Sequence, residues 1–177
     1  FSTYYYLTEV LNMNAKIIGI DLKKEVIEHC NNIAEKLNFS NLSFIYGDVI
    51  DYENKDEIDM VISLHACNTA TDIAILKALG WNAKVFFAVP CCQKEVNGQL
   101  NADFLPFMLK HGIVKEKFST LLTDSVRSEV LEAFGYKSDI VEFISAENTP
   151  KNQLIRAYKM TNNVDKDKLS NIEKFTS

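Results

Sequence analysis

Nowhere does the chain carry eighteen consecutive apolar residues, and its first residues, Phe1-Ser2-Thr3-Tyr4, show no basic segment followed by an apolar run. A membrane-crossing helix needs about 20 predominantly apolar residues and a secretory signal needs that basic-then-apolar order, so neither is predicted. A positive excess is lacking too. Acidic side chains outnumber basic ones by 24 to 19, a formal charge of -5, which argues against a domain that grips nucleic acid by charge alone. The four cysteines, Cys30, Cys67, Cys91 and Cys92, lack the paired spacing of a secreted disulfide framework, and adjacent Cys91 and Cys92 would bridge only with strain. A reducing, cytoplasmic setting is therefore expected. There are no internal repeats, low-complexity tracts or obvious linkers. With 47% of 177 residues apolar, one sizeable core is expected, in a domain over residues 1–160 followed by a polar tail, 161–177.

What is present is an alternation of helical and strand patterns. Residues 4–11 carry large apolar side chains at helical spacing, Asn12-Met13-Asn14 punctuates them, and 16–21 is a compact apolar run predicted to be a strand. Between 23 and 37, Val26, Ile27, Cys30, Ile33, Ala34 and Leu37 recur at intervals of three and four, an amphipathic helix that Asn38 can end. Residues 42–46, 59–64 and 84–89 read as short strands and 69–79 as a helix. Strand, helix, strand with such short connections predicts a parallel α/β sheet. Beyond Pro90, residues 104–110 and 125–134 look helical, and 140–144 and 154–160 look like two strands forming an antiparallel edge. The tail has only Val164, Leu169, Ile172 and Phe175 to bury, which fits a short docked helix or disorder.

Chemistry gathers where these strands end. Asp21 closes the first strand, where an acidic residue can accept hydrogen bonds from ribose hydroxyls; it equally suits a cap for the helix beginning near Lys23. Asp48, in Tyr46-Gly47-Asp48-Val49, follows the next strand and can accept from an adenine amino group while the Val49 backbone meets the ring edge. Two carboxylates at consecutive strand ends suit an adenosine. After Leu64 comes His65-Ala66-Cys67-Asn68-Thr69-Ala70-Thr71-Asp72, and after Val89 comes Pro90-Cys91-Cys92-Gln93. If those two strands are neighbours, His65, Cys67, Cys91 and Cys92 crowd one rim. Zinc would want spaced ligand pairs that are missing, so no metal is expected, and buried thiols are a plainer reading than a nucleophile. His65 is either a general base or a polar residue lining the cleft, and Thr71 and Asp72 are candidate helix caps. The segment Glu147-Asn148-Thr149-Pro150-Lys151-Asn152 is either an ordinary loop or one in which Lys151 and Asn152 meet a phosphate or a substrate amide. Arg127 and Arg156 stand in isolation and carry no signal.

Taken together, LHACNTATD, VPCCQ and ENTPKNQLIRA make the chain resemble the bacterial members of a class I S-adenosylmethionine (SAM) dependent methyltransferase family, from residue 1 to about 160. The histidine–cysteine and double-cysteine segments are similar, more distantly, to eukaryotic tRNA acceptor-stem 2′-O-methyltransferases, which makes RNA a candidate substrate. The resemblance implies a Rossmann-like α/β sheet of seven strands in the order 3-2-1-4-5-7-6 with the last strand antiparallel. It implies SAM as cofactor, contacted by Asp21, Leu22, Asp48, Val49, Leu64 and His65, with Asp21 on the ribose and Asp48 on the adenine. It places the acceptor at Cys67, Pro90, Cys91, Cys92, Gln93, Lys151 and Asn152, with His65 as the candidate catalytic base. Family members also carry a strand and a glycine-rich loop, G-x-G-K-G, immediately before the residues matching Phe1-Ser2-Thr3. Neither is in this sequence, so an N-terminally truncated domain lacking the first strand is expected, with residues 17–20 pairing to another strand or to a second copy in a homodimer. A non-catalytic scaffold of the same fold stands as the alternative to an enzyme. Dehydrogenase use of the acidic strand end is disfavoured because the dinucleotide fingerprint is missing.

Overall fold

The computed structural model describes residues 1–54, 56–64, 69–91, 94–100, 105–145, 147–149 and 151–176, with 94 and 95 described in backbone only. The chain divides into two compact units, residues 1–54 and 55–177.

In the first unit a short helix α1 (Ser2–Tyr5) runs into a π-helical turn (Tyr6–Val10), followed by β1 (Ile17–Asp21), α2 (Lys24–Lys36) and β2 (Leu42–Tyr46). The strands are parallel, in register from Ile17 opposite Leu42 to Asp21 opposite Tyr46. Tyr4, Ala34 and Leu42 form the core with Ile17, Phe39 and Phe44 packed on it. Aromatic rings supply much of this burial: Phe1 stacks on Phe44 at 5.2 Å between centroids, and Tyr4 lies 4.9 Å from Phe39. The outer edge of β2 is closed from within. The Asn31 side chain on α2 accepts from Phe44 N and donates to Phe44 O, both at 2.9 Å, occupying backbone groups that would otherwise invite another strand.

Asparagines end two of the helices as the sequence pattern suggests. Asn38 and Asn82 adopt φ of 57° and 53°, a conformation that asparagine tolerates better than most side chains. Phe39 N donates to Ala34 O and Asn38 N to Glu35 O; Ala83 N to Ala78 O and Asn82 N to Leu79 O repeat the arrangement after the second long helix. Both are Schellman closures, and each seats the next residue, Phe39 or Ala83, against its unit's apolar interior.

The second unit holds β3 (Met60–Leu64), α3 (Thr69–Gly80), β4 (Val85–Val89), α4 (Lys94–Gln99), α5 (Pro106–Leu109), α6 (Gly112–Ala133), β5 (Tyr136–Glu142), β6 (Gln153–Lys159) and α7 (Lys166–Thr176). Its sheet order is β3-β4-β6-β5. β3 and β4 are parallel, whereas β6 runs antiparallel to both of its neighbours and stands between β4 and the edge strand β5. Within each sheet the order is the one implied by the resemblance, 3-2 in the first unit and 4-5-7-6 in the second. The core joins Phe86, Ala88, Ile155 and Ala157 of the sheet to Ala74, Ile75 and Ala78 of α3 and Leu131 of α6. Tyr136 at the start of β5 donates its hydroxyl to Ala83 O at 2.6 Å, which satisfies a phenol that burial would otherwise penalise.

The largest difference from the sequence expectation is α6, expected over 125–134 and observed to begin at Gly112. Its first half carries Val114, Phe118, Leu121 and Leu122 at helical spacing, interleaved with hydroxyl residues. Ser119, Thr120 and Thr123 return their hydroxyls to carbonyls four residues back, at 2.7, 3.1 and 2.7 Å, so their polarity is consumed inside the helix. The tail takes the docked-helix form, with Lys168 of α7 bonded to Glu132 at 2.5 Å and to Glu129 at 3.1 Å.

Gly135, between α6 and β5, has φ of 84°, and its carbonyl accepts from both Met160 N and Thr161 N. A Cβ there would collide with the Thr161 carbonyl oxygen. Gly135→Ala is expected to destabilise the protein by about 2–4 kcal/mol in a urea titration, from backbone strain plus overpacking. Gly98→Ala, in open space on α4, is expected to be neutral or stabilising by up to about 1 kcal/mol.

Candidate active site

At the carboxyl edge of the first unit, Asp21 is the last residue of β1 and its Oδ1 accepts from Lys23 N at 2.8 Å. Its main-chain carbonyl receives Gly47 N at 3.1 Å, which extends the strand pairing beyond Tyr46 and sets Asp48 close by. Asp48 repeats the device: its Oδ1 accepts from Ile50 N at 3.0 Å. Each carboxylate thus uses one oxygen to hold its own turn, and the other oxygen has no protein partner among the described residues. Lys23 is the N-cap of α2 and no side chain caps that helix, so Asp21 holds the turn before the helix and is not its cap. Leu22 is exposed and Val49 half-buried on the same edge.

In the second unit β3 and β4 are neighbours, with their last residues, Leu64 and Val89, in register. Leu64 is 62% exposed, Pro90 is buried and Cys91 is half-buried. His65, Cys67, Cys92 and Gln93 lie outside the described residues. Among the described residues no group of His, Cys, Asp or Glu is arranged to hold a metal ion.

The residue that sequence reasoning missed is Arg127. Its side chain on α6 is only 5% exposed, and it binds Asp72 through two bonds, Nε to Oδ1 at 2.7 Å and NH2 to Oδ2 at 3.1 Å. A third bond, from NH1, reaches Asp124 Oδ1 at 3.0 Å. Burial by itself lowers the guanidinium's pKa, but the hydrogen bonds and charges of Asp72, followed by those of Asp124, outweigh it and hold the group above its ordinary value. Because α3 begins at Thr69, Asp72 lies inside its first turn and not at the position that caps it, and its carboxylate is bound by this arginine. The available signal was an arginine set among Val126, Val130 and Leu131, three residues after an aspartate, which is the spacing of a helical pair.

The β5–β6 connection is tied in two places. Lys151 Nζ lies 3.2 Å from Glu116 Oε1 of α6. Asn152 is 4% exposed and donates its side-chain amide to Ile144 O at 2.9 Å, while its carbonyl receives Phe143 N. Two cavities lie elsewhere and include none of the residues expected at the site. One, of about 360 Å³, is bordered by Trp81, Lys84 and Lys159 at the opposite end of the sheet; the other, of about 570 Å³, lies between α6 and α7.

Residues 1–99 match the model of a family described as Methyltransferase domain, and the chain belongs to that family. No curated protein matches the sequence. Among solved structures, an rRNA methylase from Streptococcus thermophilus is similar over 90% of this chain and 80% of its own, with 14% identity and a TM-score of 0.55. The 23S rRNA methyltransferase ErmE is similar over 89% of this chain and 57% of its own, with 11% identity and a TM-score of 0.50. At such identities the likeness concerns the fold, which is the Rossmann-like α/β fold of class I methyltransferases. No helix among the described residues is long and apolar enough to cross a membrane.

Removing Arg127 would leave Asp124, 1% exposed, as a buried charge without its counter-ion. Arg127→Met is expected to cost roughly 3–5 kcal/mol in urea unfolding. Asp72→Asn alters a carboxylate that is 54% exposed and keeps the Arg127–Asp124 pair, so about 1 kcal/mol is expected.

Proposed function

We propose that this methyltransferase takes its methyl group from SAM and delivers it to an RNA acceptor. The observation that carries the reading is that both parallel strand pairs end in the residues the chemistry needs. Asp21 and Asp48 follow β1 and β2, while the segments beginning with His65 and Pro90 follow the paired ends of β3 and β4. In open α/β sheets ligands bind outside the carboxyl ends of the strands.

In this reading the oxygen of Asp21 that Lys23 leaves unused accepts from the ribose hydroxyls. Asp48 accepts from the adenine amino group, with Val49 and Leu22 against the ring and sugar. When bound, SAM supplies an electrophilic methyl on a sulfonium, so the chain's task is mainly to align an acceptor and take up its proton. Leu64, Pro90, Cys91, Cys92, Gln93 and Cys67 form the acceptor rim. His65 is placed as the base that removes the acceptor's proton. Lys151 offers its ammonium to a phosphate, and Asn152 fixes the loop that carries it. With a net charge of -5, RNA would be recognised by local contacts and not by a general basic field. Residues 1–160 are assigned as the methyltransferase domain, acting in the cytoplasm, and 161–177 as an appended segment.

Incubation with methyl-tritiated SAM and bacterial ribosomal and transfer RNA should place label in the RNA; label appearing only in protein or small molecules would remove RNA as acceptor. With the acceptor in hand, His65→Ala is expected to lower kcat about 100-fold or more while affinity for S-adenosylhomocysteine stays within about threefold. Equal turnover in the variant would remove His65 from the mechanism.

A further inference from the structure

The cavity of about 360 Å³ at the far end of the second unit's sheet gathers side chains that methyl transfer does not use. Glu57, Trp81, Asn82, Lys84, Lys159 and Asn162 line it. The antiparallel register that sets Val85 opposite Tyr158 continues one step further, where Lys159 N donates to Lys84 O at 2.8 Å. Lys84 and Lys159 therefore stand opposite each other with their side chains on one face of the sheet, an arrangement of like charges that weakens a strand pair.

The two ammonium groups are compensated unequally. Lys84 bonds Asp59 at 2.6 Å, and the hydrogen bond and charge of Asp59, then the charge of Glu57, hold its pKa above the ordinary value. Lys159 is half-buried and has no carboxylate within ion-pair distance among the described residues. Its Nζ donates to Phe134 O at 2.9 Å and lies 4.6 Å from the centre of the Tyr136 ring, so a carbonyl and a ring meet its charge but no anion does. An ammonium carries three donors, so hydrogens remain for a ligand. Burial lowers the pKa of Lys159, as it does for a cation partly stripped of water with no carboxylate in return. An anionic ligand would supply the missing charge.

The rest of the lining suits a nucleobase. Trp81, the chain's single tryptophan, is half-buried on the wall, and the Lys77 ammonium lies 5.6 Å from the centre of its ring. Aromatic faces stack on every kind of base. Asn82 and Asn162 each offer an amide that both donates and accepts, as base edges require, and Glu57 can accept from a ribose hydroxyl. At about 360 Å³ the cavity falls at the small end of ligand sites, roughly 300–1,000 Å³, which is room for one nucleotide and not for a duplex. We propose that it is a second binding site, for a nucleoside monophosphate: Lys159 meets the phosphate, Trp81 stacks on the base, and Asn82 and Asn162 read its edge. The site requires neither SAM nor methyl transfer. A free nucleotide and a nucleotide within single-stranded RNA present the same chemistry to it.

Trp81 reports on the site directly, because no other tryptophan contributes to the emission. Uridine monophosphate, which lacks the adenine assigned to Asp48, is titrated into the full chain while tryptophan fluorescence is followed. Saturable quenching is expected, with uridine and inorganic phosphate each binding about tenfold or more weakly, since one loses the charged contact and the other the stack. Lys159→Met should weaken uridine monophosphate about tenfold or more, while Lys159→Arg, which keeps the charge, should stay within about threefold. Lys137→Ala, which removes an exposed lysine of β5 outside the cavity, should leave binding unchanged. No saturable quenching, equal binding of uridine and its monophosphate, or equal binding by wild type and Lys159→Met would each overturn the proposal, and the first two need no variant to fold. A short single-stranded oligouridylate that binds about tenfold or more tightly than the monophosphate, and loses this in Lys159→Met, would assign the site to RNA; equal affinities would assign it to the free nucleotide.

Discussion

A buried guanidinium held between two carboxylates organises the second unit. Arg127 reaches from a 22-residue helix to the first turn of α3, and Asp72 and Asp124, which both meet it, help to make its burial tolerable. Hydrophobic packing joins α6 to the sheet through Leu131, but such contacts are non-directional and leave a helix free to settle in several ways. The forked bond adds direction. The hydroxyls of Ser119, Thr120 and Thr123 in the first half of α6 are satisfied within the helix.

Both units use their strand ends in the same manner. Parallel strands leave chain reversals at their carboxyl ends, and there Asp21 and Asp48 each spend one carboxylate oxygen on holding a turn, so that the functional edge is also a structural one. In the second unit the parallel strands β3 and β4 end in register, Leu64 opposite Val89. The chain belongs to the methyltransferase-domain family, and its fold is similar to that of an rRNA methylase at 14% identity.

Most strands, and the helix α3, were legible in the sequence to within a residue or two: 42–46 coincides with β2, and 69–79 with α3 but for its last residue, whereas the strand expected over 140–144 begins four residues earlier, as β5 from Tyr136 to Glu142. Asn38 marks the end of α2 because few other side chains accept its backbone conformation. Legibility failed where polar residues are buried. Residues 112–124 do carry Val114, Phe118, Leu121 and Leu122 at helical spacing, a period the sequence reading passed over, and Arg127 looked isolated because its partner Asp72 lies 55 positions away, a separation that no local pattern reports. Asn152 reads in sequence as an exposed loop residue, whereas the structure buries it as a tie to Ile144. The strand-end acids were legible because their chemistry depends on position along one strand, which is local information.

The most direct measurement is calorimetric titration of S-adenosylhomocysteine into the full-length natural polypeptide carrying this chain, beside its Asp21→Ala variant. Saturable binding that weakens about tenfold or more in the variant is the predicted result, the size expected for losing hydrogen bonds to a charged group. No binding to the wild-type polypeptide, or equal binding by both proteins, would contradict the placement of the cofactor at the carboxyl edge of β1.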